Sequence, residues 1–372
     1  TKADIEAAKD ILESDTIDDE TSHHGRLPLH AEEKIALIRT YHEEDMQALS
    51  QPVMLYFKNP FRGNGKGGRH RYADMEILGT SGPIAEATLI QTARLMLAEE
   101  GFKNTAVEVN SVGDRDSIAR FLRELTAHYR KHINDMSPEC RQLLKNDPFE
   151  VLSAHNADCD ALNEHAPKAL DFLSESSRRH LEELLEYFES LGIGYTVNNS
   201  LVANRKYATE TVFAIINTDA DPSKKDQRVL AVGVRYNGLA RRLNMKRDIQ
   251  GVGISILVKG DKPQLRKPLS KTKRPIASFI QLGMESKRVA IEVVESLRQA
   301  KIPLYLSLAK DRLGAQVSSV ERYQPPYAIV MGKKEAVDRV AVVRRMDTHA
   351  QEIVSLNGLP KHMKKVEADY WR

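Results

Sequence analysis

The stretch from Lys259 to Pro275, KGDKPQLRKPLSKTKRP, limits the possible folds more than any other part of this chain. Its three prolines fix φ and remove backbone donors, so neither a helix nor a strand can run through it. A chain built around such a break folds as one body before it and another after it. The stretch also carries seven Lys or Arg against one Asp. It reads as a solvated linker, and a basic linker can equally lie along a phosphate backbone.

The two bodies have different patterns. Before the break, apolar residues at helical spacing over 31–49 (Ile35, Leu37, Ile38, Tyr41, Met46) predict a helix. Short β-favouring runs at 53–57 and 71–79 flank a glycine-rich turn at 63–68 and predict a strand–loop–strand hairpin. A helix at 83–100, with Pro83 near its start, and a strand at 105–110 follow. The stretch 114–191 is helical throughout, broken into pieces by Pro138, Pro148 and Pro167. Strands return at 195–202, 210–217, 228–235 and 251–258; their short connections predict an antiparallel sheet. After the break, strands at 276–282, 303–308 and 327–331 alternate with helices at 285–300 and 312–323, which predicts a small α/β domain with parallel pairs. The expected class is α+β. The expected domains are a sheet-bearing core over 1–113 and 192–260, a helical insertion at 114–191, a basic linker at 261–275 and a C-terminal domain at 276–372.

The 372 residues suffice for two or three domains with full cores. No apolar run approaches the roughly 18 residues of a membrane helix, so no membrane partner is expected. The polar N-terminal ten residues do not form a secretory signal. Cys140 and Cys159 are too few for a framework of bridges or a four-cysteine metal site, and a reducing, cytoplasmic setting is expected. His23 and His24 have no further ligand at metal spacing, so no metal site is expected. The net charge of +3 neither demands nor excludes nucleic acid.

Several stretches, in order, resemble the bacterial-type histidyl-tRNA synthetases, class II aminoacyl-tRNA synthetases with an anticodon-binding domain. The most specific is VNSVGDRDS from Val109 to Ser117. Further matches are Glu139-Cys140-Arg141 with Asn146-Asp147-Pro148, Leu191 to Tyr195, Leu297 to Ile302, and Tyr327 to Gly332. The resemblance runs from about Leu27 to Ile353. It implies a class II antiparallel sheet flanked by helices, a helical insertion and a C-terminal α/β anticodon-binding-type domain. It also implies tRNA or another structured RNA as partner, with ATP and Mg as cofactors if ligase activity survives.

Joining a carboxylate to ATP and passing the acyl group to a tRNA hydroxyl both gather negative charge, so fixed cations are needed. The family supplies arginines at three places, and this sequence departs from it at each. In the class II second motif, an ungapped match from Phe57 to Gly79 puts Lys58 at the arginine and Pro60 at the glutamate; a gapped match instead uses Phe61-Arg62. Lysine keeps the charge and loses the planar fork. In the histidine-binding stretch the arginine falls on Ala203, the glycine on Asn204, the aspartate on Lys206 and one tyrosine on Ala208, while Tyr207 remains. In the closing motif the arginine falls on Gly260. The resemblance leaves Lys58 and Arg62 as catalytic candidates and Glu32, Tyr207, Arg235 and Tyr236 as substrate-binding candidates. Glu32 is equally readable as an exposed acid at a helix start, and Arg235 as a buried structural cation. The loop from Gly63 to Arg71 is a flexible hairpin tip or a basic contact to RNA through Lys66, Arg69 and Arg71; it lacks the Ser or Thr of a P-loop. The family's dimer-forming first motif is not visible before Leu27, so a homodimer is expected only with a longer chain or a rebuilt interface.

Three functions fit these residues. The first is a catalytically degenerate synthetase relative that keeps an RNA-binding or regulatory role. The second is a working histidine–tRNA ligase with a divergent pocket. The third is a regulatory subunit of histidine biosynthesis, which ranks last because such subunits usually lack the insertion and the C-terminal domain. Whether the chain is an enzyme stays open at this point.

Overall fold

The computed structural model describes residues 6–9, 11, 31–59, 71–154, 157–219, 229–258, 274–307, 310, 312–320 and 323–370. It divides into two compact units, Thr1–Leu185 with Ile193–Asp261, and Glu186–Gly192 with Lys262–Arg372. The fold is α+β, as the sequence pattern implies.

In the first unit, helix α1 (Ala31–Glu43) ends well short of residue 49. Asp45 takes a left-handed conformation (φ 48°), which an α-helix cannot continue through, and a 3-10 turn at Met46–Ala48 follows. The hairpin forms as expected: β1 (Val53–Asn59) pairs antiparallel with β2 (Arg71–Leu78). Then come α2 (Ile84–Glu99), β3 (Thr105–Gly113) and the helical stretch: α3 (Arg115–Lys131), α4 (Pro138–Asn146), α5 (Pro148–Ser153), α6 (Ala157–Asn163) and α7 (Glu175–Ser190). The breaks between these helices have a local cause. Asp114, Ser137 and Asp147 each cap a helix by accepting a backbone N–H, and Pro138 and Pro148 stand at first-turn positions where no donor is lost.

Strands β4 (Tyr195–Val197), β5 (Thr209–Asn217), β6 (Val229–Arg235) and β7 (Gly251–Val258), with a short helix α8 (Leu239–Arg242) between the last two, complete a sheet in the order β1-β2-β7-β6-β5-β3-β4. It is antiparallel except at one edge. The strand expected over 195–202 is only three residues long and pairs parallel to β3. Its continuation is turned away by local hydrogen bonds: Asn198 Oδ1 accepts from the Ser200 N–H, and the Leu201 N–H returns to the Asn198 carbonyl.

Cys140 and Cys159, too few for a framework, form one disulfide, which was not expected from the sequence. Helices α4 and α6 carry them into one core with Phe121, Leu125, Tyr129, Phe149 and Leu152. Two cysteines cannot make a framework, but they can make one bridge, and only packing brings them together.

In the second unit, β8 (Ala277–Gln281) lies between β9 (Leu304–Leu306) and β10 (Tyr327–Met331), parallel to both. The order is β12-β11-β10-β8-β9, with α9 (Met284–Gln299) and α10 (Leu313–Val320) between the parallel strands in sequence. Beyond Met331, where no element was expected, stand α11 (Lys333–Val337), β11 (Val340–Arg345), β12 (Gln351–Ser355) and α12 (Leu359–Tyr370). Strands β11 and β12 extend the sheet antiparallel. Ile353 is mostly exposed, so β12 shows little of the apolar alternation that would announce it.

Candidate functional site

Alternate residues of a strand share a face. On β2 this places Asp74 with Glu76, opposite Ser255 and Gly253 of β7. Both carboxylates are completely buried. Glu76 lies so close to Gly253 that a Cβ there would stand 2.0 Å from a Glu76 oxygen, so this position requires glycine. Helix α1 sends Lys34, also buried, to Glu76 as an ion pair. The Tyr236 hydroxyl donates to the other Glu76 oxygen at 2.6 Å. The Ser255 hydroxyl donates to Asp74. Burial raises the Glu76 carboxyl above its ordinary range, although Lys34 and Tyr236 pull it down. Burial, and then the Glu76 carboxylate, raises the Tyr236 phenol well above its usual value.

Beside this pair stands Glu33, partly buried. Among the described residues, neither of its carboxylate oxygens has a hydrogen-bond partner. Burial, with Asp74 and Glu76 nearby, pushes it up to about 7.

A third buried carboxylate, Glu86 of α2, is held quite differently. It takes two bonds from the Arg235 guanidinium, one from the Thr211 hydroxyl at 2.8 Å, and faces His180 Nε2 at 2.8 Å. Arg235 also donates to the Thr80 carbonyl at 2.9 Å and the Gly82 carbonyl at 3.2 Å. Burial acts to raise the Glu86 carboxyl, but Arg235 and His180 outweigh it and hold it well below the usual carboxylate range.

The sequence candidates distribute unevenly. Arg235 and Tyr236 have no exposed surface and reach protein partners. Tyr207 is buried in the core cluster that includes Ile35, Ile38 and Tyr236. Glu32 is exposed on the first turn of α1, whereas its neighbour Glu33 turns towards the buried acids. Lys58 is on β1 opposite Ala73, and Arg71 begins β2 opposite Val258; their side chains lie outside the described residues. Arg62, Lys66, Arg69, Gly260 and the His23–His24 pair are outside them too. Ala203 is partly buried against the α1 core cluster. Sequence reasoning missed Lys34, Asp74, Glu76, Glu86 and His180. The signal it passed over is charge at strand and helix positions whose neighbours are all apolar, such as Glu86 between Ala85 and Ala87. Among the described residues no group of three or more His, Cys, Asp or Glu could hold a metal ion, and no helix is long and apolar enough to cross a membrane.

Residues 277–366, which hold the second sheet, match the family model described as "Anticodon binding domain". The whole chain is similar to histidine–tRNA ligases: 27% identical over 353 residues to that of Symbiobacterium thermophilum, covering 92% of this chain and 81% of the relative. Against the ligase of Halothermothrix orenii it is 27% identical over 367 residues, covering 96% and 86%. Over nearly its whole length the chain is similar to histidyl-tRNA synthetases. The fold agrees: the apo histidyl-tRNA synthetase of S. aureus superimposes with a TM-score of 0.50 at 22% identity, covering 96% of this chain and 88% of that one. Within a histidyl-tRNA synthetase-type core, the face of β2 and β7 next to α1 is where Asp74, Glu76 and Lys34 stand.

Proposed function

We propose that this chain is a synthetase relative that binds tRNA or a similar structured RNA and activates histidine poorly or not at all. The observation that carries this reading is the buried set Lys34, Asp74, Glu76, Ser255 and Tyr236. In activating a carboxylate with ATP, a synthetase must offer cations to a triphosphate. Here the buried cation on this face, Lys34, is neutralised by Glu76, and Asp74 and Glu33 add negative charge. The carboxylates of this set repel phosphate, and Lys34 and Ser255 are already engaged by Glu76 and Asp74, so the described residues on this face do not fit the triphosphate of ATP. The replacements at Lys58, Ala203 and Gly260 point the same way, since losing one transition-state donor costs about 3–4 kcal/mol. In this reading Arg235 and Tyr236 hold the sheet's acids in place rather than contacting substrate, with Tyr207 packed beneath them and Glu32 at the solvent edge. Lys66, Arg69, Arg71 and the basic linker at 261–275 meet RNA phosphate, and the domain at 276–372 meets the anticodon.

Pyrophosphate exchange with histidine and ATP, run beside a tRNA titration over salt, tests this. The expected result is exchange at background together with binding that weakens as salt rises. Exchange clearly above background would show a working ligase. Absence of tRNA binding would remove the RNA role.

A further inference from the structure

The helical stretch carries a covalent tie that the reading above does not use. Cys140 of α4 and Cys159 of α6 are its two ends, and both are completely buried. They are the chain's two cysteines, so no other bridge can form within it. Helices α4, α5 and α6 have 9, 6 and 7 residues. Helices this short are not stable unaided, so their arrangement depends on packing and on the bridge. We propose that the bridge is a redox latch, which when closed holds the core loop at 203–208 in place through the Asp147–Arg205 ion pair.

Asp147 stands inside the segment that the bridge closes. It ends α4, its N–H donating to the Leu143 carbonyl at 3.0 Å. It also caps α5, where one carboxylate oxygen accepts from the Phe149 N–H at 2.9 Å. The other carboxylate oxygen takes the Arg205 guanidinium. Arg205 belongs to the sheet-bearing core, just ahead of β5. Val202, on the same approach, packs against the cluster that contains both cysteines. Beyond Arg205 the loop is pinned by its own bonds. Asn204 Oδ1 accepts from the Lys206 N–H at 2.9 Å, and the Asn204 carbonyl accepts from the Tyr207 and Ala208 N–H groups at 3.1 and 2.9 Å. One carboxylate therefore joins the bridged helices to this loop.

Opening the bridge acts on that joint through packing. Two thiols sit at non-bonded separation where a bond was, and a close-packed core accommodates this only by moving a helix. Helix α6 is tied at its far end: Asn163 donates to the Val151 and Leu152 carbonyls at 2.8 and 3.1 Å and accepts from the Tyr129 hydroxyl at 2.6 Å. The side-chain ties of α4, from Arg141 to the Ile133 and Asn134 carbonyls, are exposed. The shift therefore falls on α4, which ends at Asp147. A dithiol supplies the electrons. One of its thiolates attacks a cysteine sulfur and the S–S bond breaks; its second thiolate then displaces the mixed disulfide, leaving two protein thiols and an oxidised, cyclic reductant. Because both sulfurs are buried, this attack needs a local opening of the helices. The coupling is reciprocal: a closed bridge that strengthens the grip on Arg205 is itself favoured by that grip.

The test uses the full chain and the variant R205Q, which removes the grip and leaves both cysteines and the Asp147 cap. Both proteins are equilibrated in dithiothreitol buffers of graded reduced-to-oxidised ratio. Free thiols are counted by alkylation and mass, and amide hydrogen exchange is followed over 203–208. The wild type is expected to pass from no free thiols to two while keeping its circular dichroism, and to exchange 203–208 about tenfold faster once reduced. R205Q is expected to open at a ratio about fivefold less reducing, and its loop to exchange alike in both states. Equal opening ratios for the two proteins overturn the proposal. So does loop exchange in the wild type that ignores the redox state, or a bridge that yields only as the whole chain unfolds. D147N, which keeps a capping side chain and loses the charge, replaces R205Q if that variant does not fold.

Discussion

Glu86 and Glu76 invite comparison. Both are completely buried in the same unit, and both face a cation. Yet Glu86 is held below the ordinary carboxylate range and Glu76 above it. The difference lies in donor number and type. Glu86 receives a two-pronged guanidinium, a hydroxyl and an imidazole. Glu76 receives one ammonium and one phenol, and has Asp74 and Glu33 nearby. A single ion pair does not offset desolvation; a fork plus further donors does.

Removing a partner from the saturated site has the larger effect. Arg235→Met leaves Glu86 buried with its fork gone, and unfolding in urea is expected to show a loss of about 3–5 kcal/mol. A loss below 1 kcal/mol would mean that His180 and Thr211 suffice. Lys34→Met is expected to cost less, about 1–3 kcal/mol, because burial already raises the Glu76 carboxyl above its ordinary range and it can take up a proton once the ammonium is gone. The double change Lys34→Met with Glu76→Leu is expected to recover most of that, measured as a non-additive cycle; additive losses would show that the two groups do not act as a pair.

The smallest effect is in the pH dependence, and the two sites have opposite signs. Glu86, depressed when folded, contributes stability above the ordinary carboxylate value that is lost as pH falls below it. Glu33, raised to about 7, binds its proton more tightly when folded, so its contribution is present below about 4.5 and is lost as pH rises through about 7. Glu33→Gln is therefore expected to flatten the decline between pH 4.5 and 7 and to stabilise the protein at pH 8 by about 1 kcal/mol after solvent screening. An unchanged pH profile would locate the decline in other groups.

The contrast also marks what the sequence could convey. The core strands and most helices were legible because their apolar spacing and caps are local, as at Asp114, Ser137 and Asp147. Strand β12 was not, since Glu352 and Ile353 both face solvent and leave no period to read. The motif positions named Arg235, with a buried structural role as one reading, and Tyr236, but not their partners. Their partners Glu86 and Glu76 lie 149 and 160 residues away, and only the sheet brings them together. Glu32 was singled out where Glu33 turns inward, a choice set by a rotation of about 100° per residue on a helix whose phase the sequence leaves open.

Arg235 and Tyr236 are consecutive, and their side chains diverge to Glu86 and Glu76. A slip of β6 by a single residue would offer a phenol to the carboxylate that needs a fork, and a fork to the one already served by Lys34. These two neighbours thus act as a lock on strand alignment. Misaligned chains bury mismatched charge and are penalised during assembly, whatever ligand the finished molecule goes on to hold.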